Sequence, residues 1–167
     1  MNSYAWILVT GSRSLRQYRL VADALDQAWT EAREQHRTRL IVVHGAASGA
    51  DAHAERWAQE HKRAGVDCRR FPADWEADCT PHCQPGHRRP RRDSHGTYCP
   101  AEGHYRNQRM VDHVIQYAEP GSARVLAFHS TIQLPNSGTS HCARRAEAAG
   151  LPVRHFEAAL LSKEPSK

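Results

Sequence analysis

No apolar stretch of this chain approaches the ~20 residues that a membrane-spanning helix needs, which excludes such a span. The amino-terminal run MNSYAWILVTGSR lacks a basic region before its apolar part and lacks a small-residue cleavage site, so no signal peptide is expected. Both G-x-G-x-x-G and G-x-x-x-x-G-K-[ST] are missing, which removes the ordinary dinucleotide and P-loop fingerprints. There is no internal repeat. Cysteine is sparse and odd in number, five in 167 residues. A chain of that length buries a core without disulfide staples, so reduced thiols or a metal site in a cytosol are expected instead of a disulfide framework. Neither sign of charge dominates. With 23 Lys+Arg against 18 Asp+Glu the balance is +5 with histidine neutral, which permits a phosphate-bearing partner and does not select one. At 40% hydrophobic and 25% charged residues, the composition is that of one ordinary globular domain.

What is present is an alternation of strand and helix patterns. Short apolar runs rich in β-branched residues occupy Tyr4–Thr10, Arg39–Val43, Val66–Pro72, Arg124–His129 and Val153–Phe156. Between them, helical spacing marks Arg19–Gln35, Ala50–His61, Asn107–Tyr117 (with Met110, Val111, Val114 and Ile115 inward) and Gly138–Ala149. Strands that alternate with helices predict an α/β fold, a mostly parallel sheet of about five strands covered on both faces. Ligands of such sheets bind beyond the carboxyl ends of the strands. That rule points to three strand-to-helix turns: Gly11–Ser14, Gly45–Asp51 and Ser137–Thr139. All three are rich in small and hydroxyl residues. Glycine lets a backbone approach an anion, helix N-termini add unsatisfied N–H donors, and Arg13 adds charge.

One stretch breaks the alternation. Residues 76–105 hold three of the five cysteines, are rich in Pro and Gly, and carry no helix or strand period. We read 1–161 as a single domain interrupted by this insertion, with a disordered tail at 162–167. Within the insertion, Cys79-x3-Cys83-x3-His87-x11-Cys99 forms a Cys₃His set suited to a structural zinc ion. His87 is preferred to His104 as the fourth ligand. The segment has little apolar material of its own, so a metal would supply its stabilisation. The run His87-Arg88-Arg89-Pro90-Arg91-Arg92 suggests nucleic acid, but four arginines are matched by four acids in the insertion. No aromatic platform interleaves with them. Nucleic acid is therefore a possible but disfavoured partner. Cys68 and Cys142 read as packing thiols.

Taken together, ILVTGSR, VVHGAASGADAHAERWA, FPADW, YRNQRMV, VLAF and SGTSHCARRAEAAGLPV resemble the YspA/YpsA-like branch of the SLOG superfamily, from about Ile7 to Val153. The resemblance implies a Rossmann-like three-layer α/β/α fold, with the metal insertion after the third strand. It implies that Gly11, Ser12, Arg13, Gly45, Ser48, Gly49, Asp51, Arg106, Asn107, Arg109, Ser137, Gly138 and Thr139 bind a nucleoside phosphate or a ligand derived from NAD or ADP-ribose. Asp51 would take a ribose hydroxyl, and Arg106 and Arg109 phosphate. A homodimer in the cytoplasm is the expected assembly. Phosphoribohydrolases of this superfamily cleave an N-glycosidic bond with a Glu in a Pro-Gly-Gly-x-Gly-Thr-x-x-Glu loop. Here Cys142 stands at the Glu position, which favours binding over hydrolysis. A nucleoside monophosphate N-glycosidase is the alternative, and a DNA-associated protein like DprA the second.

Overall fold

β1 (Tyr4–Gly11) is the centre of the molecule. The fold is that of a computed structural model which describes residues 3–92, 95–130 and 137–158. The remaining elements are α1 (Tyr18–Glu34), β2 (Arg39–His44), α2 (Ala50–Glu60), β3 (Val66–Arg70), β4 (Arg89–Pro90), β5 (Thr97–Tyr98), α3 (Glu102–Tyr117), β6 (Ala123–His129), α4 (Gly138–Ala148) and β7 (Val153–Glu157). Five strands form one sheet in the order β3-β2-β1-β6-β7, and every pairing in it is parallel. The connections after β1 lead outward through β2 to β3. The chain then returns to the other side of β1 for β6 and β7. The order reverses between β1 and β6, and a crevice opens there at the carboxyl edge.

Side-chain alternation sorts the core into two layers. Ala5, Ile7 and Val9 of β1 face α1 and α2 with Leu40, Val42, Leu126 and Phe128. Trp6 and Leu8 face α3 and α4 with Ile41, Val43, Met110, Val114, Val125 and Cys142. The parallel strands read as continuous apolar runs because both faces are covered. Leu8, Val9, Val42, Val43, Val125, Leu126 and Phe128 are wholly buried, each worth roughly 1.5–3 kcal/mol of transfer free energy. Glu31 of α1 ties the layers at the far edge by accepting from Arg124 of β6 and Arg154 of β7. No helix of the described residues is long and apolar enough to cross a membrane.

The fold is thus the α/β, mostly parallel five-stranded architecture that the alternation predicts. Three local readings differ. α3 begins at Glu102, ahead of the Asn107 start that the apolar spacing marks. Its first turn is polar and is fixed from outside, because Glu102 Oε1 accepts from the Asp74 N–H at 3.2 Å and from Arg109. Ile115 is exposed, whereas Met110, Val111 and Val114 are buried. The insertion, which shows no strand period, contains the antiparallel pair β4–β5, too short to produce one. The tail 162–167 lies outside the described residues.

Candidate functional site

A cavity of about 340 Å³ occupies the crevice where the strand order reverses. Its walls are the turn after β1 (Gly11, Ser12, Arg13), the end of β6 (His129, Ser130), the head of α4 (Ser137, Gly138, Thr139), Asp51 of α2, and Arg106, Asn107 and Met110 of α3.

The turns are locked to each other by backbone chemistry. Gly49 has φ +72° at the start of α2, and a Cβ there would lie 2.7 Å from the Arg13 carbonyl carbon. Only glycine suits that backbone. Its lack of a side chain lets the Ala50 N–H donate to the Ser12 carbonyl at 3.2 Å, while the Ser48 hydroxyl donates to the Arg13 carbonyl at 3.1 Å. The turn after β2 is closed on itself. Asp51 Oδ2 accepts from the N–H groups of Gly45 (3.0 Å) and Ala47 (3.2 Å). The Ala46 N–H donates to His44 Nδ1 at 3.1 Å. These N–H groups are therefore committed within the protein, not offered to an anion as the small-residue pattern suggests. The cavity is bordered instead by Gly138 and Thr139 at the head of α4 and by Arg13 and Arg106. Ser137 caps α4 by accepting from the Ser140 N–H at 3.1 Å.

Burial dominates the electrostatics. Asp51 is 5% exposed, and desolvation pushes its pKa up to about 6 against the lowering pull of its backbone donors and Arg106. Arg106 is also buried. It donates to the Gly45 carbonyl, to the Phe71 carbonyl at 3.4 Å, and through Nε to Asn107 Oδ1 at 3.0 Å. Asn107 in turn donates to the Gly138 carbonyl at 3.0 Å, so α3 joins the β2 turn to the head of α4. Burial pulls the Arg106 pKa down. Cys142 lies in the core, and burial raises its thiol to about 11.

Arg109 pairs with Glu102 and is not among the residues lining the cavity. Gly45 and Ser48 line a neighbouring cavity instead. Sequence reading missed Thr10, Met110, His129 and Ser130 as lining residues. Thr10, one residue before the end of β1, and His129, the last of β6, reach the crevice through the pairing of those strands, a signal that strand order alone supplies. His129 Nε2 lies 2.9 Å from His155 Nδ1, and His155 Nε2 lies 3.2 Å from Glu147 Oε1. Burial lowers the His129 pKa.

Beside this cleft, Cys79, Cys83, His87 and Cys99 bring one ligand atom each to within 4.8 Å of one another. This set could hold a metal ion. A tetrahedral ion with Zn–S of about 2.3 Å and Zn–N of about 2.0–2.1 Å sets its ligand atoms about 3.5–3.8 Å apart. Cys83 Sγ to Cys99 Sγ is 3.8 Å, Cys99 Sγ to His87 Nε2 is 3.4 Å and Cys79 Sγ to His87 Nε2 is 2.9 Å. The donor set fits. His104 is elsewhere, stacked on His141 with centroids 4.0 Å apart. Tyr105 of α3 bonds Cys83 Sγ at 3.3 Å and brings that thiol down to about 7. Arg88 is consumed in the frame, donating to Thr97 Oγ1 (2.8 Å), the Thr97 carbonyl (2.9 Å) and the Ala77 carbonyl (3.0 Å). Arg91 faces Glu76 at 3.5 Å. The basic run is thus partly structural.

Comparison with known proteins agrees with this architecture. The profile of the YspA, cpYpsA-related SLOG family matches residues 6–77. The chain is also 35% identical over 154 residues to Gene 61 protein of Mycobacterium phage D29, an alignment that covers 90% of this chain and 94% of that protein. With the fold, the motifs and a relative matched along nearly its whole length, this chain belongs to the YspA, cpYpsA-related SLOG family.

Proposed function

We propose that this protein binds a nucleoside phosphate or a nucleotide derived from NAD or ADP-ribose in the cavity between β1 and β6, and that Cys79, Cys83, His87 and Cys99 hold a structural zinc ion beside it. One observation carries the reading: a cavity at the reversal of strand order has an acid on one wall and a helix N-terminus with two arginines around the rest. Asp51 suits a ribose hydroxyl. The head of α4, Arg13 and Arg106 suit phosphate. Membership of the SLOG family supports a nucleotide-related ligand. Arg109 enters this reading as a support for Glu102, not as a phosphate ligand.

Binding without turnover is favoured. Asp51 is the one carboxylate among the described residues that line the cavity, and its Oδ2 is held by two backbone donors. The position of the hydrolase glutamate is the core thiol of Cys142. Four protein ligands would close the zinc site, which makes its role structural. The cytoplasm is the compartment this reading takes, where reduced thiols are available to a metal. A homodimer is the assembly it takes, which sedimentation measures.

The test is calorimetry of the purified protein with AMP and ADP-ribose, with chromatography of the same mixtures for released base and metal analysis of the same sample. Saturable binding, no free base and one zinc per chain are the expected results. Base release would replace the reading with the hydrolase one. A DNA affinity that falls steeply with salt would replace it with the nucleic-acid one.

A further inference from the structure

A second cavity, of about 240 Å³, adjoins the first and shares Arg13, Ala47 and Arg106 with it. Its outer wall is the strap that follows β3, and the largest side chain there is Trp75. The indole is held from several sides. The Tyr98 ring meets it edge-on at 5.8 Å and 88°. Gly103 of α3 leaves it room, since a Cβ at 103 would lie 3.3 Å from the ring. The Arg13 guanidinium sits 5.5 Å from the ring centroid. The strap's backbone is fastened as well. The Phe71 N–H donates to the His44 carbonyl at 2.9 Å, and the Asp74 N–H to Glu102 at 3.2 Å. Two arginines and no carboxylate line this second cavity.

We infer that the second cavity is an aromatic-base subsite, so that the ligand has two heads joined by phosphates. This rests on the nucleotide reading above. A phosphoribose head fills the first cavity at Asp51. A planar base fills the second against the Trp75–Arg13 wall. Bridging phosphates lie between them, where Arg13 and Arg106 border both cavities. Bases stack on indole rings and on guanidinium planes without regard to their identity. A ring already held in place loses little conformational freedom when a base covers it. No acid lines the second cavity, so its side of the bridge meets only the two arginines as charged groups.

Ribose 5-phosphate and ADP-ribose separate the two cavities, because the first probe reaches only one of them. Both are titrated calorimetrically into the wild type, Trp75→Leu and Trp75→Phe. Trp75→Leu is expected to weaken ADP-ribose about tenfold, the size of one base–aromatic stack, and to leave ribose 5-phosphate unchanged. Trp75→Phe is expected to stay within about threefold of wild type for both. ADP-ribose affinity that Trp75→Leu leaves intact overturns the subsite while the nucleotide reading stands. If AMP binds the wild type and ADP-ribose does not, the subsite alone is overturned; failure of both nucleotides to bind overturns the subsite and the nucleotide reading together. If the leucine variant loses both probes, the phenylalanine variant decides: near-wild-type binding supports the subsite, and a tenfold loss of ADP-ribose overturns it.

Discussion

The Arg106 guanidinium packs against Gly45, donating to its carbonyl and occupying the space that any side chain at 45 would fill. The glycine and the arginine come from different elements, 61 residues apart, and each is intelligible only through the other. Gly45→Ala therefore displaces the guanidinium from both cavities. We expect a stability cost of about 1–3 kcal/mol, the usual cost of overpacking, read by urea denaturation, and an ADP-ribose affinity at least tenfold weaker. Unchanged affinity would show that Arg106 does not touch the ligand.

Arg13 and Arg109 make a contrasting pair. Arg13 borders both cavities, while Arg109 leans on the buried Glu102. Replacing Arg13 by Ala should weaken ADP-ribose about tenfold, the loss of one charge-assisted contact, with little change in melting temperature. Replacing Arg109 by Ala should leave affinity within about threefold and lower stability by about 1–3 kcal/mol, because Glu102 loses its cation. The reverse pattern in calorimetry would return Arg109 to the site.

Chelation tests the metal cluster. The insertion has few apolar residues of its own, whereas the sheet has a complete core on both faces. Removal of the ion, or Cys99→Ser, should expose residues 76–99 to protease and leave the far-ultraviolet spectrum of the sheet largely intact. Because Tyr105 joins Cys83 to the helix that carries Arg106, nucleotide affinity should fall as well. Affinity untouched by metal removal would uncouple the two sites.

Two carboxylates give opposite pH signatures. Hydrogen bonds from Arg154 and Arg124 bring Glu31 from 4.5 down to about 2. Its folded pKa lies below the unfolded one, so its contribution is present above pH 4.5 and is lost as pH falls toward 2. Burial raises Asp51 from 3.8 to about 6. The folded state there binds the extra proton, so stability falls as pH rises from 3.8 through 6. Denaturation series across pH 2–7 on Glu31→Gln and Asp51→Asn should each flatten one of these slopes. Ligand affinity should rise through pH 6 and then level, if the carboxylate form of Asp51 accepts the ribose hydroxyl.

The order and type of the main elements were legible in the residues themselves. Apolar runs such as ILV and LIVV are long enough to be buried on both faces, and 3.6-residue spacing marks each helix that packs on them. The Cys₃His set was legible too, because metal ligands are few, distinctive residue types and a loop without apolar residues must be held by something else. The helix start at Glu102 was not, since its first turn has no apolar period and depends on Asp74, Arg109 and the Cys99 carbonyl.

Only the tertiary structure decided which polar groups remain for a ligand. Local sequence offered three similar turns, yet the turn after β2 spends the N–H groups of Gly45, Ala46 and Ala47 on Asp51 and His44, while the head of α4 borders the cavity. Arg106 and Arg109 lie one turn apart on the same helix, and only packing sends the first under Gly45 and the second to Glu102. Spacing fixes which residues are neighbours along a helix. Which neighbour finds a buried carbonyl or carboxylate depends on distant segments that the fold brings alongside, and on the cost of leaving any buried charge without a partner.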